Sequence, residues 1–97
     1  MHVDEVYQSG NTIRLSCELC DFDGKITDPQ IIKIKLYDQR FNVIKEIENI
    51  VKIDIGKYYF DFITEQDNSN KRYYYEWYAE IDGTPSLKRS SFMTRFI

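Results

Sequence analysis

A regular alternation of two sets of side chains lies at residues 73–81, which contain the only tryptophan and half of the eight tyrosines. Two interleaved sets of side chains occur there: Tyr73, Tyr75, Trp77, Ala79 and Ile81, and between them Tyr74, Glu76, Tyr78 and Glu80. Successive side chains of a β-strand point to opposite faces of a sheet, so a period of two indicates a strand. We therefore predict a long strand whose first set of side chains is buried and whose second set faces solvent.

Other segments also predict strands. They cover residues 12–20, 31–37, 57–64 and 86–97, and residues 3–7 are a short candidate for the first strand. Turn residues separate these segments, and the Asp82-Gly83 pair before the last one is typical of a tight hairpin. Residues 38–42 indicate another hairpin connection. Residues 65–72 are polar throughout, which indicates an exposed loop.

The segment at residues 43–55 carries two competing patterns. Ile44, Ile47 and Val51 have the spacing of one helix face, whereas Val51, Ile53 and Ile55 alternate with polar residues. The segment is rich in β-branched residues, which fit a pleated sheet better than a helix. We favour one or two short strands here, with a helix as the alternative.

About seven short strands at spacings near ten residues predict an all-β fold, either a sandwich or a small barrel. A chain of 97 residues has the size of one domain, so we treat residues 1–97 as a single unit. The aromatic fraction of 15% agrees with β structure. We predict a shared core formed by Leu15, Ile34, Phe60, Phe62, Tyr75, Trp77 and Phe92.

The net charge of −3 argues against a general affinity for nucleic acid or for anionic membranes. Five basic residues near the last two predicted strands could cluster locally: Lys71, Arg72, Lys88, Arg89 and Arg95. A basic surface with tyrosines nearby can bind single-stranded nucleic acid. We favour a solvated basic rim and keep nucleic-acid binding as a third, less favoured function.

Cys17 and Cys20 form a C-x-x-C pattern on a predicted strand. Their α-carbons would be about 10 Å apart, and a disulfide needs less than about 7 Å. We predict free thiols, Cys17 in the core and Cys20 at the surface. A zinc site needs a second pair of ligands, which the sequence lacks, so we predict no metal and no other cofactor.

No catalytic motif is present. The single histidine, His2, lies at the chain terminus, and no serine or cysteine lies in a recognisable nucleophile motif. Glu76 and Glu80 would be about 13 Å apart on one strand, which is too far for a glycosidase pair. We therefore predict that the chain is not an enzyme.

Two groups of residues are candidate binding sites. Tyr37, Tyr59, Tyr74 and Tyr78 are all predicted to face outward, and on adjacent strands they would form a flat aromatic patch suited to a sugar or a protein. The alternative is cross-strand pairing that only stabilises the sheet. The second group, Asp21, Asp23 and Asp28, is a calcium alternative. Gly24 comes too early for an EF-hand, so we favour turn chemistry for these aspartates.

Residues 54–60 have the sequence Asp-Ile-Gly-Lys-Tyr-Tyr-Phe. This segment resembles the D-x-G-x-Y segment of immunoglobulin-like domains. The order of the other features is also similar, with an Asp-Pro turn before the third strand, an aromatic strand, and a closing strand containing Phe92. The similarity extends over most of the chain. It resembles the single immunoglobulin-like domains of bacterial surface proteins and of tailed-phage structural proteins from low-GC hosts.

The resemblance implies an immunoglobulin-like sandwich of about seven antiparallel strands in two sheets. It also implies that Asp54 and Gly56 shape a turn, and that Tyr58 packs at a corner with its hydroxyl bonded to nearby backbone. The inter-sheet disulfide of antibody domains is missing, because no cysteine follows Tyr58. The resemblance carries over no catalytic residues and implies a structural or adhesive role.

We expect a non-enzymatic structural or protein-interaction module, a small phage or prophage virion component that assembles with itself or with neighbouring virion proteins. Contact would be made by the outward tyrosines or by a strand edge at residues 93–97. The alternative is a carbohydrate- or receptor-binding module of a bacterial surface protein. No signal peptide or membrane-length apolar run is visible. We therefore expect cytoplasmic synthesis and a virion location, or a cell-surface location if the chain is an excised domain.

Overall fold

The alternating segments of the sequence form strands in the structure. The computed structural model describes residues 5–65 and 70–95, and these residues contain no helix. The eight strands are β1 (Glu5–Gln8), β2 (Thr12–Glu18), β3 (Ile31–Tyr37), β4 (Val43–Ile47), β5 (Val51–Asp54), β6 (Lys57–Ile63), β7 (Lys71–Ile81) and β8 (Thr84–Arg95). The all-β prediction is confirmed, with eight strands where about seven were expected.

The strands form two sheets. The large sheet has the order β1-β8-β7-β3-β4, and the small sheet has the order β2-β6-β5. The aromatic strand β7 lies at the centre of the large sheet, where it pairs antiparallel with both β3 and β8. The pair β1 and β8 is parallel, which corrects the expectation of antiparallel strands throughout.

The ambiguous segment at residues 43–55 forms two short strands on different sheets. β4 extends the large sheet beside β3, and β5 extends the small sheet beside β6. The helical spacing of Ile44, Ile47 and Val51 does not correspond to a buried helix face. Ile44 and Val51 are instead exposed at the edges of the two sheets. The preference for strands over a helix is confirmed.

The core lies between the two sheets. Of the seven residues that the sequence predicts for it, Leu15, Ile34, Phe62, Trp77 and Phe92 are buried, and Phe60 and Tyr75 are half-buried against the same cluster. The ring of Phe92 lies at the centre of an aromatic group that includes Tyr7, Phe62, Tyr73 and Tyr75. Because β8 belongs to the large sheet and Phe62 to the small one, these rings join the two layers.

The hairpin between β7 and β8 has the two-residue loop predicted from Asp82-Gly83. Both residues have positive φ, 52° and 76°, and Ile81 is paired with Thr84 across the turn. Positive φ at both central residues is the signature of a type I′ turn, whose twist matches that of paired strands. The turn therefore sets the register along the whole length of β8.

The strand edge expected at residues 93–97 is not an edge over the residues that the structure describes. Met93 and Thr94 pair with β7 on one side and with β1 on the other. Arg95 pairs with Gln8 of β1, and its carbonyl accepts a hydrogen bond from the amide of Ser9 at 2.8 Å. Residues 96–97 lie outside the described residues. Alternation along one strand cannot predict this result, since it depends on where the chain's first strand pairs.

No helix in the described ranges is long and apolar enough to cross a membrane.

Candidate functional site

The four tyrosines predicted to face outward lie on two different sheets. Tyr37, Tyr74 and Tyr78 lie on the outward side of the large sheet, on β3 and β7. Tyr59 lies on β6 in the small sheet, with the guanidinium of Arg14 3.8 Å from its ring centroid. A single patch of four tyrosines therefore does not form, because the sequence cannot show which strands are neighbours.

Tyr37 and Tyr74 are paired in register across β3 and β7. The ring of Phe41, from the β3–β4 turn, stacks on Tyr74 with centroids 4.4 Å apart and an interplanar angle of 26°. The side chain of Phe41 remains 64% exposed. Phe41 was not among the residues predicted to bind, and its only signal in the sequence is an aromatic side chain inside a polar turn.

The turn that carries Phe41 is organised by Asp38. The carboxylate of Asp38 accepts hydrogen bonds from the backbone amides of Asn42 and Arg40, each at 2.9 Å, and from the Asn42 side chain. These bonds, led by the one from the Asn42 amide, lower the pKa of Asp38 below its ordinary value. Phe41 has a φ of 64°, in a region that bulky residues rarely adopt. The turn therefore presents an aromatic ring from a constrained backbone.

Glu76 was predicted on the solvent face of β7 but is only 8% exposed. It lies between Lys35 on β3 and Arg89 on β8 in the strand register, and its carboxylate pairs with the guanidinium of Arg89. The hydrogen bond from Arg89 to Glu76 is the main cause of the raised pKa of Arg89. Glu76 is buried because long side chains on both neighbouring strands cover the centre of the sheet. Removing Arg89 would leave a buried carboxylate without its partner, which is costly.

The rings of Tyr37, Phe41 and Tyr74 and the ion pair of Glu76 and Arg89 line one groove on the outward side of the large sheet. Its volume is about 300 Å³, and it is lined by Tyr37, Phe41, Tyr74, Tyr75, Glu76, Arg89 and Ser90. We call this surface, with Tyr78 beyond it, the outer sheet face. The groove combines an aromatic wall with a carboxylate and a guanidinium, so it can contact both apolar and polar groups of a ligand.

Tyr78 forms a separate contact region further along β7. It lies four residues from Tyr74, or about 13 Å by the strand rise. Its hydroxyl donates to Glu80 at 2.6 Å, which is the main cause of its raised pKa, and the ammonium of Lys33 lies 5.1 Å from its ring centroid. Leu87, its register partner on β8, is exposed. Tyr74 and Tyr78 therefore share a sheet face without touching each other.

The calcium alternative is not supported by the positions of its three aspartates. Asp21 accepts hydrogen bonds from the amides of Asp23 and Lys25 and so organises its own turn. Asp28 is bonded elsewhere, to the turn before β6. No group of three acidic, histidine or cysteine side chains that could bind a metal occurs within residues 5–65 and 70–95.

Asp28 instead connects the loop before β3 with the segment that resembles the immunoglobulin-like motif. Its carboxylate accepts hydrogen bonds from the Gly56 amide at 2.9 Å, the Tyr58 hydroxyl at 2.8 Å and the Lys52 ammonium at 2.7 Å. These bonds, led by the one from Gly56, lower the pKa of Asp28 to about 2. The Tyr58 hydroxyl was expected to bond to nearby backbone, and it bonds to this carboxylate. Burial and the bond to Asp28 raise the pKa of Tyr58 to about 12.

The remaining sequence predictions concern the two cysteines and the five basic residues. Cys17 is buried and Cys20 exposed, and both are free thiols, as predicted. Burial raises the pKa of the Cys17 thiol to about 11, which makes it unreactive at neutral pH. The five basic residues do not form one cluster. Arg89 pairs opposite Glu76, whereas Lys71 pairs opposite Thr94, about 17 Å further along β8, where Arg72 and Arg95 also lie.

No family model matches this chain, and no curated protein or solved structure matches it either. The function of the outer sheet face therefore has to be inferred from its own residues. Among the described residues, this face combines an exposed Phe41 ring stacked on Tyr74, an ion pair between buried Glu76 and exposed Arg89, and a groove.

Proposed function

We propose that the chain is an immunoglobulin-like sandwich. The support is the strand order. If β2 to β8 correspond to strands B, C, C′, D, E, F and G of that fold, the large sheet has the order G-F-C-C′ and the small sheet B-E-D, as in variable-type domains. The D-x-G-x-Y segment then precedes strand E, whereas the corner tyrosine of antibody domains belongs to strand F. The proposal therefore rests on topology and not on that motif.

We further propose that the chain is a non-enzymatic interaction module that binds a protein partner through the outer sheet face. The observation that supports this function best is the stacked pair of Phe41 and Tyr74 beside the ion pair of Glu76 and Arg89. Tyrosine, phenylalanine and arginine are enriched at protein interfaces, and binding energy concentrates on a few such residues. A charged pair among aromatic rings adds specificity for a complementary partner.

The dimensions of the large sheet are sufficient for such an interface. Five strands spaced by about 4.8 Å give a width of about 19 Å, and the eleven residues of β7 extend over about 37 Å. The resulting face is on the order of 700 Å², close to the roughly 800 Å² that each partner contributes to a standard interface. The partner is a second copy or a neighbouring protein of the same assembly, and the resemblance suggests a virion as the place to look for it.

The decisive experiment uses the two half-buried tyrosines on opposite sheets. A photo-crosslinking amino acid replaces Tyr74 in one variant and Tyr59 in a matched control. In cells that express the protein from its native locus, we expect a defined crosslinked product from position 74 and none from position 59. Equal crosslinking from both positions would show that the outer sheet face is not a specific interface.

The substitution Phe41→Gly separates binding from stability. Glycine relieves the positive φ at this position, so the free energy of unfolding should stay within about 0.5 kcal/mol of the wild-type value. Loss of the exposed ring should weaken association by about tenfold or more, measured by sedimentation velocity at several concentrations if the partner is a second copy. Phe22→Ala, which removes another exposed ring, serves as the control. Unchanged association in the Phe41 variant would contradict the proposed site.

The carbohydrate-binding alternative also rests on a specific observation. The groove has a volume of about 300 Å³ and combines an exposed Phe41 ring with the carboxylate of Glu76 and the guanidinium of Arg89. Such a groove is at the small end of ligand pockets and could bind one or two sugar rings. A glycan array tests this alternative directly, and binding that Phe41→Gly abolishes would favour it over a protein partner.

A further inference from the structure

We propose that the free edge of β8 at residues 84–90 binds an extended strand from a different polypeptide, which extends the large sheet on the side opposite β7. This site adjoins the groove on the outer sheet face at Arg89 and Ser90. It uses the backbone edge of β8 and does not depend on the function proposed for that groove. The inference rests on the pairing of β8, the direction of its backbone groups, two cavities beneath it and the buried indole of Trp77.

Only the C-terminal part of β8 has neighbours on both sides. β1 pairs with Phe92–Arg95, whereas residues 84–90 pair with β7 alone among the strands that the structure describes. An unpaired strand edge presents backbone donors and acceptors that a further strand can satisfy. The edge is therefore a potential site for strand addition over about seven residues, which is a typical strand length.

The β7–β8 hairpin determines which backbone groups of β8 are available. In a two-residue hairpin the residues that close the turn, here Ile81 and Thr84, exchange hydrogen bonds, and every second pair after them does the same. The even-numbered residues of β8 then bond to β7, and the odd-numbered ones point away. The bond between Ser9 and the Arg95 carbonyl agrees with this parity. Leu87 and Arg89 therefore present amide and carbonyl groups at the free edge, whereas Pro85 offers only a carbonyl.

Two cavities lie beneath this edge, between β8 and the end of β2. The first has a volume of about 70 Å³ and is lined by Cys17, Glu18, Leu19, Ile32, Trp77, Ala79, Ser86 and Lys88. The second has a volume of about 90 Å³ and is lined by Cys20, Asp21, Phe22, Ile81, Thr84, Pro85 and Ser86. Ser86 is common to both, so the cavities adjoin along β8. Alternate side chains of an added strand are spaced by about 7 Å and could enter the two cavities in turn.

Two residues that line these cavities, Trp77 and Phe22, would gain contacts from a bound strand. The indole N–H of Trp77 is buried and has no hydrogen-bond acceptor among the described residues. A buried donor without a partner is costly, and a small hydroxyl side chain that enters the first cavity from an added strand would relieve that cost. Phe22, at the second cavity, is 83% exposed and would be covered by a strand placed there. The site is therefore suited to a strand that has small side chains, one of which carries a hydroxyl group.

The charged side chains of this edge indicate what kind of strand can bind there. Lys88 and Arg89 are the charged residues of the free edge, and both are basic. Arg89 is already paired with Glu76, whereas Lys88 has no ion pair among the described residues. An antiparallel pairing of this edge with its copy would bring the two Lys88 ammonium groups close together, which is destabilising. We therefore assign the site to a different polypeptide, with small residues at alternate positions, a serine or threonine among them, and an acidic residue opposite Lys88.

The test uses a display library of extended peptides of about seven residues, selected on the wild-type chain and counter-selected on Leu87→Pro. This substitution removes an outward amide, as Pro85 does naturally, and leaves the bonds to β7 intact. Leu87→Ala, which keeps the amide, is the matched control. We expect enriched sequences with the stated alternation, and binding that Leu87→Pro weakens by about tenfold or more while Leu87→Ala retains it.

Amide hydrogen exchange by NMR provides the second readout. In the free chain the amides of Leu87 and Arg89 should exchange much faster than those of Ser86 and Lys88. An enriched peptide should protect the first two and shift the indole proton of Trp77. The proposal fails if Leu87 and Arg89 are already protected in the free chain, if no peptide sensitive to Leu87→Pro is enriched, or if protection appears with rising protein concentration alone. That last result would identify a second copy as the occupant.

Discussion

At the scale of single residues, Asp28 shows how one side chain can join three parts of the fold. Its carboxylate accepts bonds from Gly56, Tyr58 and Lys52, and so attaches the loop before β3 to the β5–β6 turn. Charged hydrogen bonds of this kind are stronger than neutral ones. The pKa of Asp28, about 2, reflects how strongly these donors favour the ionised form.

The free energy of unfolding should therefore depend on Asp28 in acid. An aspartate in the unfolded chain has a pKa of about 3.9, and the folded value is about 2. The stabilisation from this depressed pKa is complete above the unfolded value and is lost as the pH falls from about 4 towards 2. Asp28→Asn should lower stability at neutral pH and flatten the pH dependence in this window, as measured by urea denaturation at a series of pH values. Tyr58→Phe, which removes one donor, should give an intermediate profile. Identical profiles for Asp28→Asn and the wild type would exclude this role.

At the scale of elements, the turn between β5 and β6 is the most constrained connection. Gly56 has a φ of 70°, and a Cβ at this position would lie 2.8 Å from the carbonyl oxygen of Leu19 and 2.9 Å from that of Thr27. The amide of Leu19 also donates to the carbonyl of Gly56 at 2.8 Å. The turn therefore packs directly against the segment that follows β2, and no side chain fits between them.

Gly56→Ala should be much more damaging than an equivalent substitution in an open turn. Gly24 provides the comparison, because it also has positive φ, 82°, but a Cβ added there would meet no atom of the described residues within 4 Å. Gly24→Ala should cost about 1 kcal/mol from backbone strain alone. Gly56→Ala should cost at least about 2 kcal/mol more, since backbone atoms must move. Thermal denaturation of both variants measures the difference, and equal losses would mean that the backbone contacts at Gly56 relax without cost.

At the scale of the whole molecule, the aromatic core holds two sheets together without a disulfide. Phe92 is 2% exposed, and its ring lies 5.2 Å from that of Tyr73 in its own sheet and 6.2 Å from that of Phe62 in the other sheet, measured between centroids. Aromatic pairs contribute energy beyond the area that they bury. Phe92 is therefore the residue whose loss should affect both layers at once.

Phe92→Ala should destabilise the chain by about 3–5 kcal/mol. That is a large part of the roughly 5–15 kcal/mol expected for a domain of this type. The remaining core residues still belong to both sheets. Urea unfolding of the variant, followed by Trp77 fluorescence and by far-UV circular dichroism, should therefore still show coincident transitions. Phe22→Ala, at an exposed position, should change stability by less than about 0.5 kcal/mol. Separate transitions for the two probes would show that the sheets unfold independently.

The sequence by itself determined the elements of this protein and the side chains that they bury. The alternation at residues 12–20, 31–37 and 73–81 predicted both strands and core, because burial of one sheet face acts locally along each strand. The tertiary structure decided which strands are neighbours. It separated Tyr59 from Tyr74, buried Glu76 under Arg89, placed Phe41 on Tyr74 and, among the described strands, paired residues 84–90 with β7 alone. Period-two patterns contain no information about pairing between distant segments, since that pairing depends on the packing of the complete sheets.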